Sequence, residues 1–359
     1  MNRRNQILAA VVVIQILAVG IVFLPRLAPA NTQSATLFAG LKAADVISLA
    51  ILDQSGKGVE LVKQNGQWVL PAHGDYPANP DSINSLLEKI VGLQTDPLVT
   101  RTSASHKRLQ VADDDYIRRI DFKLTDGSSH TLFIGSSPGG VSAHIRAGGQ
   151  DAVYLARNLA SYDVSADVIG WVDPVYFSVA QDKIISATIE NAHGMWAFEK
   201  DAQGNWTMKG LSAAEKFNPD SLAPLLSTIS SLRLTSPLGK EVKPEYGIDK
   251  PGAVVTLTTQ GETSGNNLTS TLRIGAKDAK DGSYVVISSE SPYYVRVPGS
   301  EVEDFVTKSR NGFLVLPPTP TPSPTIEVTP TVGITPALES TPALTATLVP
   351  TTTVRPTPP

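Results

Sequence analysis

Residues Asn79–Leu87 read NPDSINSLL, and residues Asn218–Leu226 read NPDSLAPLL. One helix start is written twice, 139 residues apart. In each, the asparagine supplies an oxygen that caps the first turn, and the proline suits a position whose N–H has no intrahelical partner. Ile83, Leu86, Leu87, Ile90 and Leu93 then fall on one helix face, matched by Leu222, Leu225, Leu226, Ile229 and Leu232. Pro224 lies inside the second copy and is expected to kink that helix or delay its start.

The correspondence extends outward from the helix. Upstream, NGQW ending at Trp68 matches QGNW ending at Trp206, and VELVK (Val59–Lys63) parallels WAFEK (Trp196–Lys200). Downstream, TLFIG (Thr131–Gly135) matches TLRIG (Thr271–Gly275), and AVYLA (Ala152–Ala156) faces PYYVR (Pro292–Arg296). Apolar residues alternate at strand period in these segments, and Asp-Gly and Gly-Gly pairs between them signal hairpins. The pattern predicts an α+β class: two tandem repeats, each an antiparallel sheet with one packed helix, over residues 45–180 and 181–316. Trp68 and Trp206 recur at equivalent sites, so both are expected as core or sheet-face anchors.

Composition narrows the function classes. A net charge of -4 and 18% charged residues give no concentrated basic surface, so nucleic acid is not an expected partner. There is no cysteine, which removes disulfides, thiolate metal sites and cysteine nucleophiles. After MNRRNQ, residues 1–6, comes the apolar run Ile7–Leu24, broken only by Gln15. Eighteen residues at 1.5 Å each span about 27 Å, close to the hydrocarbon thickness of a bilayer. Arg3 and Arg4 hold the short N-terminus in the cytoplasm. Residues 7–25 therefore read as a single-pass anchor and 26–44 as a linker, with the bulk of the chain extracytoplasmic. The competing reading is a signal peptide cleaved at Ala28–Ala30, but the apolar run exceeds the usual signal core of about 7–15 residues. From Pro317 onward, 43 residues hold 12 prolines and 13 threonines. Residues 317–359 are expected to be a disordered tail, a spacer or stalk in one reading and a passive extension in the other.

The stretches VELVKQNGQWVL…NPDSINSLLEKIVGL and YGIDKPGAVVTLTT…LRIG…YVVIS…YYVRV resemble the bacterial family named for domain of unknown function 4340. Its pattern runs strand, tryptophan, short helix, a Phe/Tyr-Gly-Leu/Ile-Asp-x-Pro stretch, an Ile-Gly turn and a hairpin. The resemblance covers roughly residues 45 to 310 in two copies. The second copy keeps Tyr246-Gly247-Ile248-Asp249-Lys250-Pro251, whereas the first has LQVADDDY (Leu109–Tyr116) in that place. The resemblance implies a membrane-anchored extracytoplasmic protein of the bacterial envelope, linked in some members to gliding-type ABC transport systems. It implies no activity and brings no catalytic residues.

Tests for chemistry return turns and strands. GSSPG (Gly135–Gly139) fits G-x-S-x-G with Ser137 at the nucleophile position, but that motif works where a strand turns into a helix. Here Pro138 follows, a strand-like VSAHIRA comes next, and the duplicate reads GAKDA, so a hairpin turn is expected. His73, His106, His130, His144 and His193 lack metal-ligand spacing, and Asp113–Asp115 lack the calcium-loop pattern. His73 and Asp75 are expected in a turn, with both side chains in solvent. Asn205 and Asn267 fit the N-x-[ST] pattern, which has meaning only in a glycosylating context. No catalytic, cofactor or metal residue is therefore assigned. The junction WVDPVYF, with Trp171 and Tyr176, is the one candidate surface, either for a ligand between the repeats or for packing.

The expectation is a non-enzymatic, membrane-anchored binding or scaffold protein. Its partners would be membrane lipid through the N-terminal helix and subunits of a transporter or envelope complex. The alternative is a ligand or glycan sensor, or an enzyme, with its site between the two repeats.

Overall fold

Alternation places every second residue of a strand on the core face, and the first half follows this rule from β1 onward. The computed structural model describes residues 35–261 and 266–316. The expected N-terminus, membrane anchor and Pro/Thr-rich tail lie outside them. Among the described residues no helix is long and apolar enough to cross a membrane.

The strands of the first half are β1 (Val46–Asp53), β2 (Gly58–Gln64), β3 (Gln67–Leu70), β4 (Tyr76–Pro77), β5 (Leu98–Thr100), β6 (Arg118–Leu124), β7 (Ser129–Ile134), β8 (Ala143–Ala147) and β9 (Val153–Ala156). They form one antiparallel sheet in the order β4-β3-β2-β1-β6-β7-β8-β9-β5. A short strand pair, β10 (Val175–Ser178) with β14 (Ser231–Arg233), opens the second half. The second sheet contains β11 (Ile184–Asn191), β12 (Gly194–Lys200), β13 (Trp206–Met208), β15 (Ser236–Gly239), β16 (Ala253–Thr259), β17 (Leu268–Lys277), β18 (Tyr284–Ser288) and β19 (Tyr294–Val297). Its order is β13-β12-β11-β16-β17-β18-β19-β15, which is the order of the first sheet without β4.

The likeness reaches single residues. The register slips between Val46 and Ser48 where β1 meets β6, and between Ile184 and Ser186 where β11 meets β16. Gly135 and Gly275 each follow the strand residue Ile, and a Cβ at either would lie 2.1 Å from a carbonyl oxygen, that of Leu109 or Tyr246. A crossing segment presses on the sheet at both places, and only glycine leaves room. The crossing segments correspond despite their different sequences: Gln110 at φ 56° stands where Gly247 stands at φ 63°.

Helix α1 (Pro80–Val91) starts as its sequence dictates, with the Asn79 side chain accepting from the N–H groups of Asp81 and Ser82. Its whole apolar stripe is buried. A one-turn α2 (His106–Leu109) precedes Gln110. In the second half, Asn218 caps only a 3-10 turn, Pro219–Ser221, and α3 begins at Ala223 with Pro224 in its first turn. The proline has delayed the helix, as its fixed φ and missing N–H require. Helix α4 (Gly299–Thr307) packs on β11, β16 and β17. One apolar core runs through both halves, from Leu49, Ile51 and Phe122 to Phe198, Leu257 and Phe305. Leu37, Phe38 and Leu41 already belong to it, ahead of β1.

Candidate functional site

The two sheets, alike in order apart from β4, meet where the first ends in β4 and the second in β15. The corner Pro71–Tyr76 turns on Gly74, at φ 66°, and packs against Gly239, at φ 98°. His73 Nδ1 donates to the carbonyl of Pro237 at 2.6 Å. The Tyr293 hydroxyl donates to the carbonyl of Asp75 at 2.7 Å, and the Tyr76 and Tyr293 rings meet edge to face at 4.8 Å. The Lys240 ammonium lies 4.9 Å from the centre of the Tyr293 ring. His73 was expected in solvent; it is instead a donor across the junction, because the partner carbonyl comes from a strand 164 residues away. Asp75 accepts from the Gln64 amide on its own sheet. Burial pushes the Tyr76 phenol up to about 12, with Tyr176, Asp173 and Tyr293 adding to the effect. The Tyr76 and Tyr293 rings pack at this junction, and the Tyr293 hydroxyl is hydrogen-bonded across it.

Trp171 and Tyr176 have specific places in it. Trp171 is 2% exposed, and its indole N–H donates to the carbonyl of Ser165 at 2.8 Å. Its own carbonyl accepts from the Asn79 N–H at 2.7 Å. The second half repeats this closure, for the carbonyl of Phe313 accepts from the Asn218 N–H at 2.9 Å. Each half thus ends in an aromatic residue that lies in the core and holds the residue capping its helix. Tyr176 is half-buried; its hydroxyl donates to the carbonyl of Tyr293 at 2.7 Å and accepts from the Ser288 N–H at 2.9 Å. Burial raises its pKa. Both side chains have their polar atoms committed within the protein. The structure brings Tyr176 to Tyr293 at the junction and leaves Trp171 inside the first half.

Five clefts among those on the described residues are each lined from one half only. The largest, about 700 Å³, has Phe38, Leu41 and Leu124 at its apolar side and Asp45, His130 and Gln150 among its polar residues. His130 packs there against Phe122 and Phe38, at 5.3 and 5.5 Å between ring centres. A cleft of about 280 Å³ reaches Trp171 from the side of Ser82, Lys89 and Tyr162.

The remaining polar groups serve as braces. Ser137 lies in the loop between β7 and β8, and its hydroxyl accepts from the Gly139 N–H, so the glycine-serine motif joins strand to strand. Ser136 Oγ lies 3.1 Å from both the carbonyl oxygen of Leu109 and His144 Nδ1. Arg146 is buried; it donates to the carbonyls of Val111 and Gln150 and to Asp113, and stacks 4.3 Å from the Phe133 ring centre. It thereby fastens the Asp113 segment to β8. Asp114 pairs with Lys107. Among the described residues no group of three His, Asp or Glu is placed to hold a metal ion.

Sequence reasoning missed His73, Gly239 and Tyr293 as junction residues. A signal was present: the sequence correspondence breaks at these positions, with Thr100 opposite Gly239 and Ala152 opposite Tyr293 by strand register. Where two copies diverge, they no longer do the same job.

One family model, described as Domain of unknown function (DUF4340), matches residues 68–251. The matched span begins at Trp68 on β3, crosses the junction segment WVDPVYF and ends before β16. No curated protein and no solved structure matches the chain.

Proposed function

The chain belongs to the DUF4340 family, and on that premise we propose that it is a membrane-anchored extracytoplasmic scaffold or binding protein rather than an enzyme. Its role is accessory to an ABC-type transport or envelope complex. The observation that carries this reading is the filled junction between the sheets, closed by Tyr76, Tyr293 and the His73–Pro237 bond. A sensor or enzyme with its site between the halves needs room there, whereas a scaffold gains from a joint that fixes one sheet against the other. The continuous core supports the same reading, since it favours one rigid body over two that close on a ligand. The family pattern is read here as written twice, the second writing having diverged at the joint. Membrane attachment rests on the apolar run Ile7–Leu24 behind Arg3 and Arg4.

Crosslinking of the intact protein in its native membrane, followed by mass spectrometry, tests the proposal. Recovery of transporter permease or ATPase subunits is the expected result. Recovery of nothing above a tail-deleted, anchor-swapped control would contradict it.

A further inference from the structure

The edge of a sheet presents unpaired backbone donors and acceptors, and proteins cover, shorten or charge it. In the second sheet the last strand, β15, is covered by the Pro71–Tyr76 corner of the first. The strand in the same place in the first sheet is β5. It has no such cover among the described residues, and it exposes two apolar side chains, Leu98 at 41% and Val99 at 40%.

A second copy of the chain is a poor occupant for this edge. The internal joint needs glycine at position 239, where φ is 98°, and Tyr293 to bond the corner. Their counterparts by strand register are Thr100 and Ala152. A β-branched threonine rarely adopts that backbone conformation, and alanine has no hydroxyl to donate.

The path of the chain points to another occupant. Its first described residue, Ala35, is clamped close to β5: the Ala35 carbonyl accepts from the Thr95 N–H at 2.8 Å and from the Thr95 hydroxyl at 3.0 Å. Leu98 follows three residues later. Only residues 25–34 separate Ala35 from the apolar run, and fully extended they reach at most about 35 Å. Arg101 and Arg108 follow β5, both exposed and without an ion-pair partner among the described residues. Partly exposed apolar side chains beside exposed arginines suit the boundary between headgroups and acyl chains of an anionic bilayer.

We propose that the β5 edge rests on the membrane surface, with Leu98 and Val99 at the headgroup boundary and Arg101 against anionic headgroups. The proposal rests on the membrane-anchor reading above.

The chain has no cysteine, so one introduced thiol carries a fluorescent label at a unique site. Thr102→Cys, exposed just beyond β5, reports on the edge; Met195→Cys, exposed on β12, is the control. The full-length protein is reconstituted into phosphatidylcholine–phosphatidylglycerol vesicles containing a lipid with a nitroxide near the headgroup. Quenching at position 102 is expected to exceed that at 195 by at least about twofold. Leu98→Asp is expected to remove the difference, and omission of phosphatidylglycerol to reduce it. Equal quenching of the two labels in vesicles that carry the chain through flotation overturns the docking and leaves the anchor standing. Failure of the chain to float overturns both. Energy transfer between labels at position 102, without quenching by lipid, identifies a second copy on the edge and overturns the lipid surface as its occupant.

Discussion

Gln110 and Gly247 occupy one conformation in two halves, and only one of them is suited to it. A residue with a Cβ is strained at a φ near 60°, by about 1 kcal/mol relative to glycine. Gln110→Gly is therefore expected to leave stability unchanged or raise it by up to about 1 kcal/mol, and Gly247→Ala to lower it by about 1–3 kcal/mol, because the new Cβ would lie 3.0 Å from the Ala276 nitrogen. Gly275→Ala is harsher still, on the order of 3 kcal/mol or more, since its Cβ would enter the Tyr246 carbonyl. Chemical denaturation of the three variants ranks them. Trp171 was legible as an aromatic of the junction segment, but its task was not, because a backbone bond to Asn79 leaves no mark in side-chain spacing. A second residue-scale test concerns Glu215. The Arg310 guanidinium, bonding both carboxylate oxygens, holds Glu215 down to about 2, with the Ser212 N–H assisting. A carboxylate depressed below its unfolded value of 4.5 contributes stability above that pH, and the contribution is lost as pH falls towards 2. Arg310→Met should return Glu215 towards its ordinary range, which a carboxyl NMR titration would register. Its acid loss of stability should then no longer extend down to pH 2.

Among the elements, the two asparagine-started helices were legible, whereas α2 and α4 were not foreseen. Asn79 caps an α-helix of 12 residues and accepts from two N–H groups, whereas Asn218 holds a 3-10 turn before a helix of seven. Asn79→Ala is expected to cost about 1 kcal/mol, and Asn218→Ala about half as much, in paired thermal unfolding experiments. The strands followed from period-two alternation, and the matched segments TLFIG and TLRIG fall on corresponding strands, β7 and β17. The edges did not follow. β4, β5 and β15 hold two to four residues each, too few for a period to register, and what covers β15 comes from the other half. His73 looked like a turn residue for this reason: nothing local announces Pro237.

For the whole molecule, the two similar sheets belong to one compact unit and are joined unsymmetrically. The corner of the first sheet meets the edge of the second, and among the described residues β5 has no matching cover. The apolar core continues through both halves. The most direct check is native-state hydrogen exchange on the slowest amides of β1 and β6, compared with those of β11 and β16. If the sheets form one cooperative body, both sets open with the same free energy to within about 1 kcal/mol, and Gly239→Val lowers both together. Opening free energies that differ by more than about 2 kcal/mol, with Gly239→Val affecting one sheet alone, would mean two independent domains and would contradict the rigid scaffold.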